Sequence, residues 1–193
     1  MRRATVLAAG LLVAAPAGAH EGMGPRGAVV AHRDEVVPPF TLTDQTGRPF
    51  ASAAERGRVL LVNFVYTSCR DTCPLLTAKL ALVERRLAGV EGVRFVSITV
   101  DPMRDTPEVL ARYSGPFGAR PERWVFLTGT AAEVAATLEG FGVAVRPGPG
   151  GSIDHTVVTV LVDRQGRRRF SYFGVDFDEA QVAADARALL EEK

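Results

Sequence analysis

The hydrophobic pattern changes period block by block along the chain. Residues 58–66 (Arg58-Val59-Leu60-Leu61-Val62-Asn63-Phe64-Val65-Tyr66) are an almost unbroken apolar run with β-branched residues, the pattern of a central strand buried on both faces. From Pro74 onward Leu75, Leu76, Ala78, Leu80, Leu82, Val83 and Leu87 return at helical spacing, and Gly89 stops them. Residues 93–100 repeat the buried-strand pattern. Thr106-Pro107-Glu108 then opens a second helix with a cap residue and a proline at its first position. A short strand over 124–127 and a helix over 131–141 follow. Residues 156–162 and 168–173 flank Asp163-Arg164-Gln165-Gly166 as a hairpin, and 178–192 form a closing amphipathic helix. Ahead of all these, Pro39-Phe40-Thr41-Leu42-Thr43 and Arg48-Pro49-Phe50 predict a short edge hairpin. Alternating strands and helices of this kind predict an α/β domain with a mixed sheet and helices on both faces, with no repeat and no second domain.

Two segments carry no usable period. Residues 20–36 mix glycine, charge and proline and read as a flexible leader, which sets the folded domain at 37–193. Residues 146–151 (Arg146-Pro147-Gly148-Pro149-Gly150-Gly151) read as a mobile loop that neither helix nor strand absorbs, with His155 at its end.

Composition narrows the function classes. Lys plus Arg total 23 against 22 for Asp plus Glu, so no charge excess points to nucleic acid. Met1-Arg2-Arg3, an apolar run to Pro16 and Ala17-Gly18-Ala19 follow the order of a secretory signal peptide, with cleavage expected after Ala19. The protein is therefore expected outside the cytoplasm, periplasmic and soluble after cleavage, or membrane-anchored if the segment stays uncleaved. Cleavage there would leave His20 first, where an amine and an imidazole could chelate Cu(II), although an accident of the cleavage position is the favoured reading. His32 in the same leader reads as solvated.

The chemistry concentrates in Cys69-Arg70-Asp71-Thr72-Cys73-Pro74. Thiols four residues apart lie on one face if the segment is helical, and a helix N-terminus stabilises thiolate. A structural disulfide closing so short a loop would stabilise the fold little. A reversible redox pair and a metal site both remain open, and the two can coexist. Three histidines are available, His20, His32 and His155. Two thiolates and one imidazole suit Cu(I), whereas structural zinc usually takes four protein ligands. A lone histidine beside a strand is ordinarily a structural residue, so His155 is not assigned on spacing alone. A peroxidase is disfavoured, because the Pro-x-x-x-Thr-x-x-Cys setting of a peroxidatic cysteine is absent.

These residues resemble a known family. Phe64-Val65-Tyr66-Thr67-Ser68-Cys69-Arg70-Asp71-Thr72-Cys73-Pro74 is similar to the Sco/SenC signature. Thr99-Val100-Asp101-Pro102-Met103-Arg104-Asp105-Thr106-Pro107, Trp124-Val125-Phe126-Leu127-Thr128-Gly129 and Asp154-His155-Thr156 follow in family order. The resemblance implies a thioredoxin-like fold and copper held by Cys69, Cys73 and His155. It also implies a role in assembling the dinuclear copper centre of cytochrome c oxidase, by delivering copper or, as a thiol–disulfide oxidoreductase using Cys69 and Cys73, by keeping the client's cysteines reduced. The implied partners are the copper-site subunit of that oxidase or another exported cuproprotein, and a periplasmic copper donor. Asp154 is expected to turn the chain or to orient the imidazole. Asp101, Arg104 and Asp105 are expected in loop and cap positions, with docking of a partner or support of the ligand residues as the alternative, and Met103 in packing.

Overall fold

The computed structural model describes residues 27–192; the expected signal peptide, its cleavage point and His20 lie outside the described residues. The elements in chain order are β1 (Val29–Val36), β2 (Thr41–Asp44), β3 (Pro49–Ala51), β4 (Val59–Val65), α1 (Thr72–Arg86), β5 (Val93–Thr99), α2 (Pro107–Ser114), β6 (Trp124–Thr128) and α3 (Ala131–Gly140). They continue with β7 (Val145–Pro147), β8 (Ile153–His155), β9 (Val158–Val162), β10 (Arg167–Phe173) and α4 (Glu179–Glu191). Among the described residues one 8-stranded sheet runs β1-β10-β9-β4-β5-β6-β2-β3, and β7 pairs with β8 apart from it. β4, β5 and β6 are parallel and their other neighbours antiparallel, so the sheet is mixed as expected, with the β2–β3 hairpin at one margin.

The predicted central strands form because their side chains have nowhere else to go. Every residue of β4 is buried, as is every residue of β6. Trp124 packs between Phe95 and Phe126 with ring centroids 5.5 and 5.4 Å away, an aromatic cluster that fixes β5 against β6. α2 begins where the cap was expected, with the Thr106 hydroxyl accepting from the Val109 amide. α1 packs on α4 over the sheet.

Two expectations need correction. The supposed leader is, over Val29–Val36, the outermost strand, paired antiparallel with β10. Backbone pairing rather than side-chain burial selects such an edge strand, so charged residues do not prevent it. His32 is not simply solvated there, since its ring lies 2.9 Å from the Ser171 hydroxyl and 2.7 Å from Glu35. The supposed loop over 146–151 belongs largely to the β7–β8 hairpin, in which Val145, Arg146 and Pro147 face His155, Asp154 and Ile153. Its glycines make the turn: Gly150 and Gly151 adopt φ of +64° and +82°, and a Cβ on Gly148 would meet the Ser152 hydroxyl at 2.4 Å.

Topology then gathers the site. β4 and β5 are parallel, so the segments that follow them leave the same end of the sheet. β9 is antiparallel to β4, so the residues before β9 arrive at that end too. Cys69, the Asp101-to-Asp105 turn and His155 therefore converge, although they are far apart in sequence.

Candidate metal centre

Cys69 lies just ahead of the helix and Cys73 in its first turn. Asp71 occupies the N-cap position without a side-chain capping bond. The Cys69 sulfur does that work instead, accepting the Cys73 amide at 3.4 Å. Cys69 is half-buried and Cys73 almost fully buried, at 1% exposure. Burial acts against a thiolate at Cys69, but the amides of Cys73 and Asp71 outweigh it and hold that thiol below its ordinary value. Burial pushes the Cys73 thiol up, and the neighbouring Cys69 and Asp105 add to the shift. One sulfur is thus reactive and accessible while the other is protected.

His155 ends β8, and its Nε2 stands 4.0 Å from the Cys73 sulfur. Its Nδ1 lies 3.0 Å from the Thr156 carbonyl oxygen, which only accepts, so the ring proton sits on Nδ1 and Nε2 keeps its lone pair. Burial lowers the imidazole pKa below its ordinary value, which also favours the neutral, ligating form. Asp154 does not supply the orienting bond; the backbone does.

The donor set fits a soft ion. Donors each about 2.0–2.3 Å from one ion stand roughly 3.6–4.0 Å apart at ordinary coordination angles, close to the Cys73–His155 spacing. As placed, no three His, Cys, Asp or Glu side chains among the described residues stand close enough to hold a metal ion, so these donors would have to draw together to take one. They line a cleft of about 600 Å³, with Tyr66 and Ile153 in its wall and Arg70, Arg146 and Asp154 among its lining residues. That space exceeds what one ion fills and leaves access for a partner's side chain.

Tyr66 has no role assigned from sequence. Tyr66, the residue after β4, sets its ring edge-to-face against His155 at 5.9 Å, and its hydroxyl accepts the Ile153 amide at 3.4 Å. Asp105 lies in the loop just before the Thr106 cap, as expected, and is fully buried. Its carboxylate accepts from the Thr67 amide at 3.1 Å, the Thr67 hydroxyl at 2.5 Å and the Thr99 hydroxyl at 2.6 Å. It thereby anchors the chain two residues before Cys69. Asp101 pairs with Arg104 at 2.9 Å. Met103, expected in packing, is 81% exposed. Nothing in the local hydrophobic pattern distinguishes these positions, because their roles depend on contacts distant in sequence.

The family model described as SCO1/SenC matches residues 29–191. The SCO2-like protein RP587 of Rickettsia prowazekii is 34% identical over 151 residues, covering 75% of this chain and 72% of that protein. Among solved structures, Bradyrhizobium japonicum ScoI with copper bound superposes with a TM-score of 0.69 at 30% identity, covering 80% of this chain and 99% of the other. BsSco, described with a disulfide switch and as a member of the Sco family of cytochrome c oxidase assembly proteins, gives a TM-score of 0.72 at 28% identity, covering 82% and 95%. The chain also matches the mouse and human mitochondrial SCO1 homologs, of which it spans 54% and 50%.

Proposed function

Because the chain belongs to the SCO1/SenC family, we propose that it is an exported copper carrier that holds Cu(I) on Cys69, Cys73 and His155 and serves assembly of the copper centre of cytochrome c oxidase. The observation that carries this reading is the approach of His155 Nε2 to within 4.0 Å of the Cys73 sulfur, beside a second sulfur fixed at the same helix start. Thiolate and imidazole together suit Cu(I), and no fourth protein donor is needed. Copper-bound ScoI supports the choice of metal. Residues 1–19 act as the export signal in this reading, and the folded domain begins at β1 rather than at residue 37. Among the described residues no helix is long and apolar enough to cross a membrane.

A second reading rests on the asymmetry of the thiols. An accessible Cys69 held below its ordinary pKa beside a buried Cys73 held above it is the arrangement of an attacking and a resolving thiol. In that reading the pair reduces the client's cysteines.

Cu(I) titration against a competing chelator tests the two. The reduced chain is expected to take one Cu(I). The air-oxidised chain, lighter by two hydrogens in mass spectrometry, is expected to take none because its sulfurs are consumed in the disulfide. Undiminished uptake by the oxidised chain contradicts the ligand assignment. Disulfide exchange without any Cu(I) binding selects the second reading.

A further inference from the structure

We propose that Tyr66 is a positioning residue whose hydroxyl clasps the β7–β8 hairpin, and with it His155, to the segment that carries Cys69. The proposal rests on the assignment of Cys69, Cys73 and His155 as one site and adds a residue that touches every part of it. Tyr66 follows directly on β4 and is buried, with 7% exposure. Its carbonyl oxygen accepts the Cys69 amide at 3.2 Å, which sets where that cysteine leaves the sheet. Its ring meets the His155 ring at an interplanar angle of 78°, adding a second restraint to the imidazole besides its backbone tether.

The hydroxyl reaches where the ring does not. A phenol has one proton to give and two lone pairs. One lone pair takes the Ile153 amide, and the proton is left for the Cys69 sulfur, which follows in the same segment and is its acceptor in this proposal, in keeping with the part this hydroxyl plays in lowering that thiol. Ile153 faces Pro147 across the hairpin. The Ile153–Tyr66 bond is long at 3.4 Å, so the hairpin has room to close when the donors draw together. A phenylalanine at this position keeps the ring contact and loses the clasp.

This arrangement senses the state of Cys69. A thiolate, free or metal-bound, is a good acceptor for the hydroxyl, whereas a disulfide sulfur is a poor one. Tyr66 therefore favours the dithiol form and the metal-bound form over the disulfide.

The test compares the full chain with Tyr66→Phe. Tyr172→Phe serves as the control, because Tyr172 is equally buried but gives its hydroxyl to Asp185, away from the cleft. In a glutathione buffer Cys69 and Cys73 give up two protons and two electrons to form their S–S bond, while one glutathione disulfide becomes two thiols. Tyr66→Phe is expected to shift this equilibrium about tenfold toward the disulfide, about 30 mV more negative for a two-electron couple. Cu(I) affinity is expected to fall about tenfold, and exchange of the Ile153 amide to quicken in the reduced, metal-free chain. Tyr172→Phe is expected to change stability without moving the potential. A Tyr66→Phe potential and Ile153 exchange rate within twofold of the parent overturn the proposal, as does an equal potential shift in Tyr172→Phe. If the parent itself binds no Cu(I), the copper assignment fails, while the potential and the exchange rate still decide the role of Tyr66.

Discussion

Replacing Cys73 with serine is expected to lower Cu(I) affinity by two to three powers of ten while leaving the fold intact. Structural zinc sites distribute roughly 10–16 kcal/mol over four ligands, so one thiolate is worth about 3–4 kcal/mol. A serine hydroxyl is a hard donor that stays protonated and replaces little of this. Cys73 is the right position because its sulfur is the one nearest His155 and the most shielded from water. Serine nearly preserves the side-chain volume, and both cysteines are free thiols here, so no cross-link is lost. Competition with a Cu(I) chelator, with far-ultraviolet circular dichroism as the check on folding, reads the effect. Affinity within threefold of the parent excludes Cys73 as a ligand.

Asp105→Ala is expected to destabilise the domain by about 3 kcal/mol, lowering the melting temperature by roughly 10 °C for a domain of this size. The change leaves the Thr67 amide, the Thr67 hydroxyl and the Thr99 hydroxyl without their common acceptor in a buried setting. Because Thr67 leads into Cys69, Cu(I) affinity should fall with stability. Thr67→Val removes one hydroxyl donor rather than the shared acceptor and should cost only about 1 kcal/mol. Urea unfolding monitored by tryptophan fluorescence measures both. Equal losses in the two variants would show that Asp105 is not the hub of this network.

The sheet was legible in the sequence because its strands are specified by their own side chains. Val59–Val65, Val93–Thr99 and Trp124–Thr128 are buried on both faces and carry the apolar runs that such burial demands. The start of α2 was equally plain, since Thr106 and Pro107 act locally. The cysteine pair was legible as chemistry from its spacing, but His155 entered only through the resemblance of its neighbourhood to Sco/SenC proteins. What stayed hidden depends on partners far along the chain. β1 is held by β10, more than a hundred residues away, and its sequence VVAHRDEV gives no alternation. The β7–β8 hairpin looked like a loop because three glycines and two prolines suggest freedom, whereas at this turn the glycines permit one particular close approach. Tyr66 was invisible for the same reason, and Asp105 was legible as a loop residue but not as a hub: a carboxylate that collects donors from two other segments, and a phenol that bridges two more, leave no mark on local periodicity.

The account depends most on Cys69, Cys73 and His155 sharing one ion. Copper K-edge X-ray absorption on the reduced chain loaded with one equivalent of Cu(I) tests this directly. Two sulfur scatterers and one imidazole nitrogen are expected, with the nitrogen lost in His155→Ala and one sulfur lost in Cys69→Ser. A shell of sulfur alone, or a spectrum unchanged by His155→Ala, would contradict the account.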